Sequence, residues 1–152
     1  MDFKKLANQY RDELLDNVLP FWLEHSQDGE YGGYFSCLDR EGKVFDTDKF
    51  IWLQGREVWM FSMLYNKVEK RQEWLDCAVQ GGEFLKKYGH DGNYNWYFSL
   101  DRSGRPLVEP YNIFSYTFAT MAFGQLSLAT GNQEYADIAK KTFEIILSKV
   151  DN

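Results

Sequence analysis

The sequence predicts an all-α fold: a partial two-layer α-toroid of about five helices with two short β-hairpins between them. Two observations carry the prediction. The helical segments alternate between one-sided patterns and patterns apolar on every face, as outer and inner helices of a two-layer toroid do. A tyrosine-led hairpin also occurs twice, each time between helices. Tyr97-Phe98-Ser99-Leu100-Asp101-Arg102-Ser103-Gly104-Arg105 echoes Tyr34-Phe35-Ser36-Cys37-Leu38-Asp39-Arg40-Glu41-Gly42-Lys43 with one residue deleted. A small closed bundle, the competing architecture, requires one-sided patterns on most helices.

Leu6, Tyr10, Leu14, Leu15, Val18 and Leu19 recur at helical spacing among Lys4, Lys5, Arg11, Asp12 and Asp16, which makes the first helix one-sided. Pro20 kinks or interrupts it, and Phe21 to His25 add a further turn. Asp28-Gly29 and Gly32-Gly33 mark a loop. The first hairpin follows, its Asp39-Arg40-Glu41-Gly42 suiting a type I turn. Asp46-Thr47-Asp48 offers N-cap chemistry for a second helix from about Lys49 to Lys67, apolar all round. A third helix, roughly 71 to 88, carries Trp74, Leu75, Ala78, Val79, Phe84, Leu85 and Tyr88 on one face, and Gly89 stops it. After the second hairpin, Ile113 to Leu128 form another helix apolar on all faces, ended by Gly131. Asn132 caps a fifth helix, one-sided through Tyr135, Ile138, Ala139, Thr142, Phe143, Ile145 and Ile146. Gly81-Gly82 matches no phosphate-loop spacing and reads as a place for close helix packing.

Composition narrows the function classes. A net charge of −6 with no basic stripe argues against nucleic acid. No stretch approaches the ~18 apolar residues of a membrane span, and no apolar leader opens the chain, so the expectation is a cytoplasmic protein without a membrane partner. Cys37 and Cys77 have no metal-site spacing and are read as free thiols. The aromatic share of 18% exceeds what a small core needs and suits a pocket for sugar rings, with an aromatic-rich core as the alternative.

Arg56, inside a helix apolar on all faces, is the leading site candidate, because a charge there needs a partner or a polar cleft. The alternative is a structural ion pair, with Glu57 or a carboxylate of a neighbouring helix. Trp52, one turn earlier on the same face, can wall a cleft or simply pack. Tyr34, Tyr111 and Ser115 are secondary candidates, with packing or hairpin structure as their alternative. The inner helices offer chiefly Glu57 as a carboxylate, so a glycosidase with paired acids fits poorly. His25 and His90 read as solvated or capping side chains.

Tyr31-Gly32-Gly33-Tyr34-Phe35-Ser36, Trp52-Leu53-Gln54-Gly55-Arg56-Glu57-Val58-Trp59-Met60, Gly81-Gly82-Glu83-Phe84-Leu85 and Ile113-Phe114-Ser115 together resemble the N-acylglucosamine 2-epimerase (renin-binding protein) family. The resemblance runs from about residue 10 to 150 and implies an (α/α)6 barrel. It implies interconversion of N-acetylglucosamine and N-acetylmannosamine by proton removal and return at C2; relatives act on cellobiose or mannose as epimerases or aldose–ketose isomerases. It places an arginine matching Arg56 in the substrate cleft. It also implies no redox cofactor and no metal, a nucleotide such as ATP as an effector, and two catalytic histidines in a C-terminal half. No residue of this chain matches that pair. Residues 1–152 are therefore expected to be the N-terminal, incomplete part of the barrel, inactive alone. They would self-associate or pair with the missing half through an open apolar seam, and a non-catalytic association module is the alternative function.

Overall fold

The first helical stretch loosens where the chain lacks a donor. In the computed structural model, which describes residues 1–110 and 112–150, α1 (Phe3–Glu13) passes into a π-helical turn at Leu14–Val18 and then into α2 (Leu19–His25). Pro20 cannot donate to the carbonyl one turn back, and its ring crowds that turn; the widened π turn relieves both. Asp2 caps α1 by accepting from the backbone N–H groups of Lys4 and Lys5, each at 3.1 Å. The apolar stripe of α1 and the π turn is largely exposed: Leu6, Tyr10, Leu14 and Val18 face outward, Leu15 packs partly against the core, and Leu19 is the first fully buried residue.

The two hairpins share their turn chemistry, as the repeat predicts. β1 (Cys37–Leu38) pairs antiparallel with β2 (Val44–Asp46), and β4 (Ser99–Leu100) pairs with β5 (Pro106–Val108). Asp39 Oδ1 accepts from the N–H groups of Glu41 and Lys43; Asp101 Oδ1 accepts from the Ser103 hydroxyl and the Arg105 N–H. Gly42 and Gly104 close the turns at φ +83° and +95°, values that L side chains rarely adopt.

Residues 46–50 depart from expectation. Asp46 Oδ1 accepts from the Asp48 N–H instead of capping a helix, and Lys49–Phe50 becomes a strand, β3, on the edge of β4. The helix α3 therefore spans Ile51–Lys67 with Phe50 as an N-cap that supplies no side-chain bond. The Ile51 N–H instead donates to the Phe98 carbonyl of the second repeat. Strand pairing across the repeats outcompeted the local cap.

Lys49 is fully buried, its ammonium 2.9 Å from Asp28 Oδ2 and bonded to the carbonyls of Gly32 and Arg102. Arg102 completes the cluster, with Nε and Nη2 at 2.9 and 3.0 Å from the Asp28 carboxylate. Burial works to raise the Asp28 carboxyl, but hydrogen bonds from Arg102 and Lys49 outweigh it and hold the group well below the usual carboxylate range. One buried ionic knot thus ties the first loop, β3 and the second hairpin.

The remaining helices are α4 (Gln72–Tyr88), α5 (Phe114–Thr130) and α6 (Gln133–Val150). Gly131 ends α5 in the left-handed region at φ +71°, and Asn132 accepts from the Glu134 N–H to start α6, both as expected. Contacts of Gly55 with Phe118 and of Asn66 with Gln125 follow the same order along both chains, so α3 and α5 run parallel. They form the inner layer, with α4 and α6 packed outside them. Gly81 and Gly82 hold α4 close, one beneath the Tyr34 ring and the other beneath Leu126 of α5. The core centres on Trp74, Trp96, Phe61, Phe123 and Tyr116, all at least 98% buried.

Candidate functional site

Five consecutive residues at the start of α3 face several neighbours. Trp52 packs on Phe118 of α5, ring centroids 6.0 Å apart. Leu53 turns to a cavity beside α2. Gln54 clamps the first hairpin, accepting from the Tyr34 N–H and donating to the Tyr34 carbonyl, both at 2.8 Å. Gly55 admits α5: a Cβ there would stand 3.0 Å from the Phe118 carbonyl carbon. Arg56 is left at the cavity mouth. A helix that meets protein on so many sides reads as apolar all round.

The cavity holds about 330 Å3, at the small end of ligand sites. Trp22 of α2, Ser36 of the hairpin loop, and Leu53, Arg56, Glu57 and Trp59 of α3 line it. Arg56 is exposed and has no ion-pair or hydrogen-bond partner among the described residues. Glu57 is not its partner, which corrects the ion-pair alternative. The Glu57 carboxyl turns away to Ser26, with Oε1 at 2.5 Å from the serine oxygen. Burial raises that carboxyl to about 8 against the opposing pull of the Ser26 contact. The Ser36 hydroxyl oxygen is buried without any hydrogen-bond partner among the described residues.

The other sequence candidates do not converge on Arg56. Trp52 is half-buried against α5, and Trp22 and Trp59 supply the cavity walls in its place. Tyr34 is fully buried and its hydroxyl donates to the Cys77 carbonyl at 2.7 Å, so it is a core strut rather than a ligand contact. Ser115 is 2% exposed in the first turn of α5. Tyr111 lies outside the described residues. A wider depression of about 560 Å3 flanks the start of α5, but Asp91 and Glu109 line it with Lys149 as the one cation among its described lining residues, a net negative lining that poorly suits developing negative charge. His90 accepts from the Gly92 N–H and lies against Tyr94 and Trp96; His25 packs on Phe21. Among the described residues no group of three His, Cys, Asp or Glu side chains converges on a metal position. No described helix is long and apolar enough to cross a membrane.

Sequence reasoning pointed to Arg56 but missed Ser36, Trp22 and the neutral state of Glu57. Nothing in the sequence showed that the Ser36 hydroxyl lacks a partner among the described residues.

Fold and site define one class, α/α-toroids with a cavity beside an inner helix that carries an unpaired arginine. The family profile of N-acylglucosamine 2-epimerase (GlcNAc 2-epimerase) matches residues 33–152. The chain belongs to this family. It is 44% identical to the N-acylglucosamine 2-epimerase of Mus musculus over 140 residues, which are 90% of this chain and 33% of the mouse protein. It is 29% identical to the cellobiose 2-epimerase of Dictyoglomus turgidum over 96% of this chain and 38% of that protein. Among solved structures, cellobiose 2-epimerase from Bacillus thermoamylovorans superposes with a TM-score of 0.86 at 30% identity, over 94% of this chain and 37% of that one. A D-mannose isomerase shares the fold, with a TM-score of 0.81 at 20% identity. The chain spans about a third of the length of these relatives, and its helices are part of an (α/α)6 barrel.

Proposed function

We propose that a protein completing this barrel is a sugar 2-epimerase, interconverting N-acetylglucosamine and N-acetylmannosamine by deprotonation and reprotonation at C2. In this reading the chain supplies the substrate-orienting side of the cleft, and the proton-transfer groups come from outside residues 1–152. The observation that carries it is Arg56, a guanidinium free of any partner among the described residues, at the mouth of a cavity walled by two tryptophans. A guanidinium so placed hydrogen-bonds a sugar oxygen and stabilises the enediolate that forms when the C2 proton leaves. ATP belongs to the reading as an effector, not as a reactant, and the cytoplasm as its location. The test is proton exchange: the barrel-complete protein is incubated with N-acetylmannosamine in D2O and C2 is followed by NMR. Deuterium at C2 together with the second epimer is expected. Neither product with N-acetylmannosamine excludes that substrate, and the same result with mannose and cellobiose removes the class.

A second reading, an association module, draws on a separate observation. Leu6 and Tyr10 on α1, Leu14 and Val18 on the π-helical turn after it, and Met121 and Leu128 on α5 are exposed apolar residues. The chain alone is then expected to self-associate, or to pair with the missing half of the barrel. A monodisperse monomer by light scattering that binds no apolar dye is the contrary result.

A further inference from the structure

The cavity beside Arg56 has a floor whose protonation state the geometry dictates. Ser26 Oγ lies 2.6 Å from the Trp22 carbonyl and 2.5 Å from Glu57 Oε1. A hydroxyl carries one proton and can donate to only one of two acceptors. Both contacts are satisfied together when Glu57 is a neutral acid that donates to Ser26 while Ser26 donates to the carbonyl. The second carboxyl oxygen then makes no hydrogen bond among the described residues, and Glu57 lines the cavity. Ser36 also lines the cavity, and its buried hydroxyl has no hydrogen-bond partner among the described residues.

We infer that this cavity seats one neutral sugar ring between Trp22 and Trp59, with the Ser36 hydroxyl and the neutral Glu57 carboxyl as its polar floor and Arg56 at its rim. Glu57 and Ser36 are thus specificity-determining residues for an uncharged polyol. The inference rests on the sugar reading above and adds residues to its site. Tryptophan faces take the CH faces of a ring, and the floor offers one acceptor and one hydroxyl.

Glu57 also makes binding sensitive to pH. The titratable or charged neighbours around it are Arg56 on its own helix, Tyr34 from the loop and Cys77 from α4. Burial keeps the tyrosine and the thiol protonated well above neutrality. A ring filling the cavity displaces the remaining water from the carboxyl, so the bound state favours the neutral acid. Affinity therefore falls as pH rises past about 8, where Glu57 ionises.

The experiment titrates N-acetylglucosamine into the 152-residue chain from pH 6.5 to 9.5, read by tryptophan fluorescence and saturation-transfer NMR. The wild-type affinity is expected to hold to about pH 8 and then weaken by up to tenfold per pH unit. Glu57→Gln, whose amide donates to Ser26 and leaves its oxygen in the cavity, is expected to bind with no pH dependence. Ser36→Ala is expected to bind several-fold more weakly at every pH. Wild-type affinity flat to pH 9.5, or a Glu57→Gln profile that falls with the wild type, overturns the inference. No sugar binding by the chain, alongside C2 exchange by the barrel-complete protein, overturns it and leaves the epimerase reading standing. Binding with the expected pH profile, alongside no exchange, does the reverse.

Discussion

Removing the Asp28 carboxylate is expected to destabilise the fold by about 3–5 kcal/mol, the range for breaking one partner of a buried ion pair. The magnitude follows from what is left behind. In Asp28→Ala, the Lys49 ammonium remains fully buried, with only the carbonyls of Gly32 and Arg102 as acceptors and the Phe84 ring 4.4 Å away. Arg102 is the cheaper loss, because it is 36% exposed and already reaches Glu30 at 3.0 Å. The N–H groups of Glu30 and Tyr31 also lose their acceptor. A domain of this size is stable by about 5–15 kcal/mol, so the change is visible as a large shift of the urea midpoint in tryptophan fluorescence. The double variant Asp28→Leu with Lys49→Met is expected to recover most of the loss, since apolar replacements remove both desolvation costs. Because the folded-state carboxyl lies below its unfolded value of ~3.9, its contribution is present above about pH 4 and is lost as pH falls further. A single-variant cost under about 1 kcal/mol, or a double variant no more stable than the single, refutes the reasoning.

Glu57 has the opposite sign. Its folded-state value of about 8 lies above the unfolded ~4.3, so stability declines as pH rises between those values, by up to about 1.4 kcal/mol per unit. Glu57→Gln is expected to flatten that slope, checked by urea midpoints at pH 6 and 8. Gly81→Ala places a methyl group against the Tyr34 ring and hydroxyl, and is expected to lower stability by about 1–3 kcal/mol in thermal unfolding. Thr142→Val leaves the fully buried Trp96 indole N–H without its 3.0 Å acceptor and is expected to cost about 1–3 kcal/mol, read by the same melt. Unchanged melting temperatures contradict the packing and hydrogen-bond roles assigned to these two residues.

The layer order was legible because it is written in periodicity. Inner helices touch neighbours on several sides and lose the polar face that outer helices keep, and a single sequence records that difference. The hairpin repeat was equally legible, down to aspartates that accept equivalent turn hydrogen bonds. Illegible were the interactions whose partners lie far apart without a pattern. Lys49 meets Asp28 at a separation of 21 residues and Arg102 meets Asp28 at 74, and each looks like an ordinary surface charge in isolation. The same cause shifted the start of α3. Asp46 to Asp48 has the composition of a helix cap, but β4 lies 50 residues further along and recruits Lys49 and Phe50 as a strand.

The candidate site was visible in the sequence through one residue, and the geometry around that residue was not. Arg56 stood out as a charge in an apolar helix, which implies either a buried ion pair or an opening in the packing. Its exposure and its lack of a partner among the described residues decide for the opening. Glu57, next in sequence, resembles the natural counter-ion, yet successive residues on a helix point about 100° apart and do not face each other. That rotation sends the acid toward Ser26 at the end of α2, 31 residues away, where burial keeps it neutral. A paired Glu57 would have cancelled the charge that, in the proposed epimerase, a sugar oxygen or an enediolate needs. The 100° step between two adjacent residues therefore keeps a cation free at the rim of the cavity and a neutral acid at its floor.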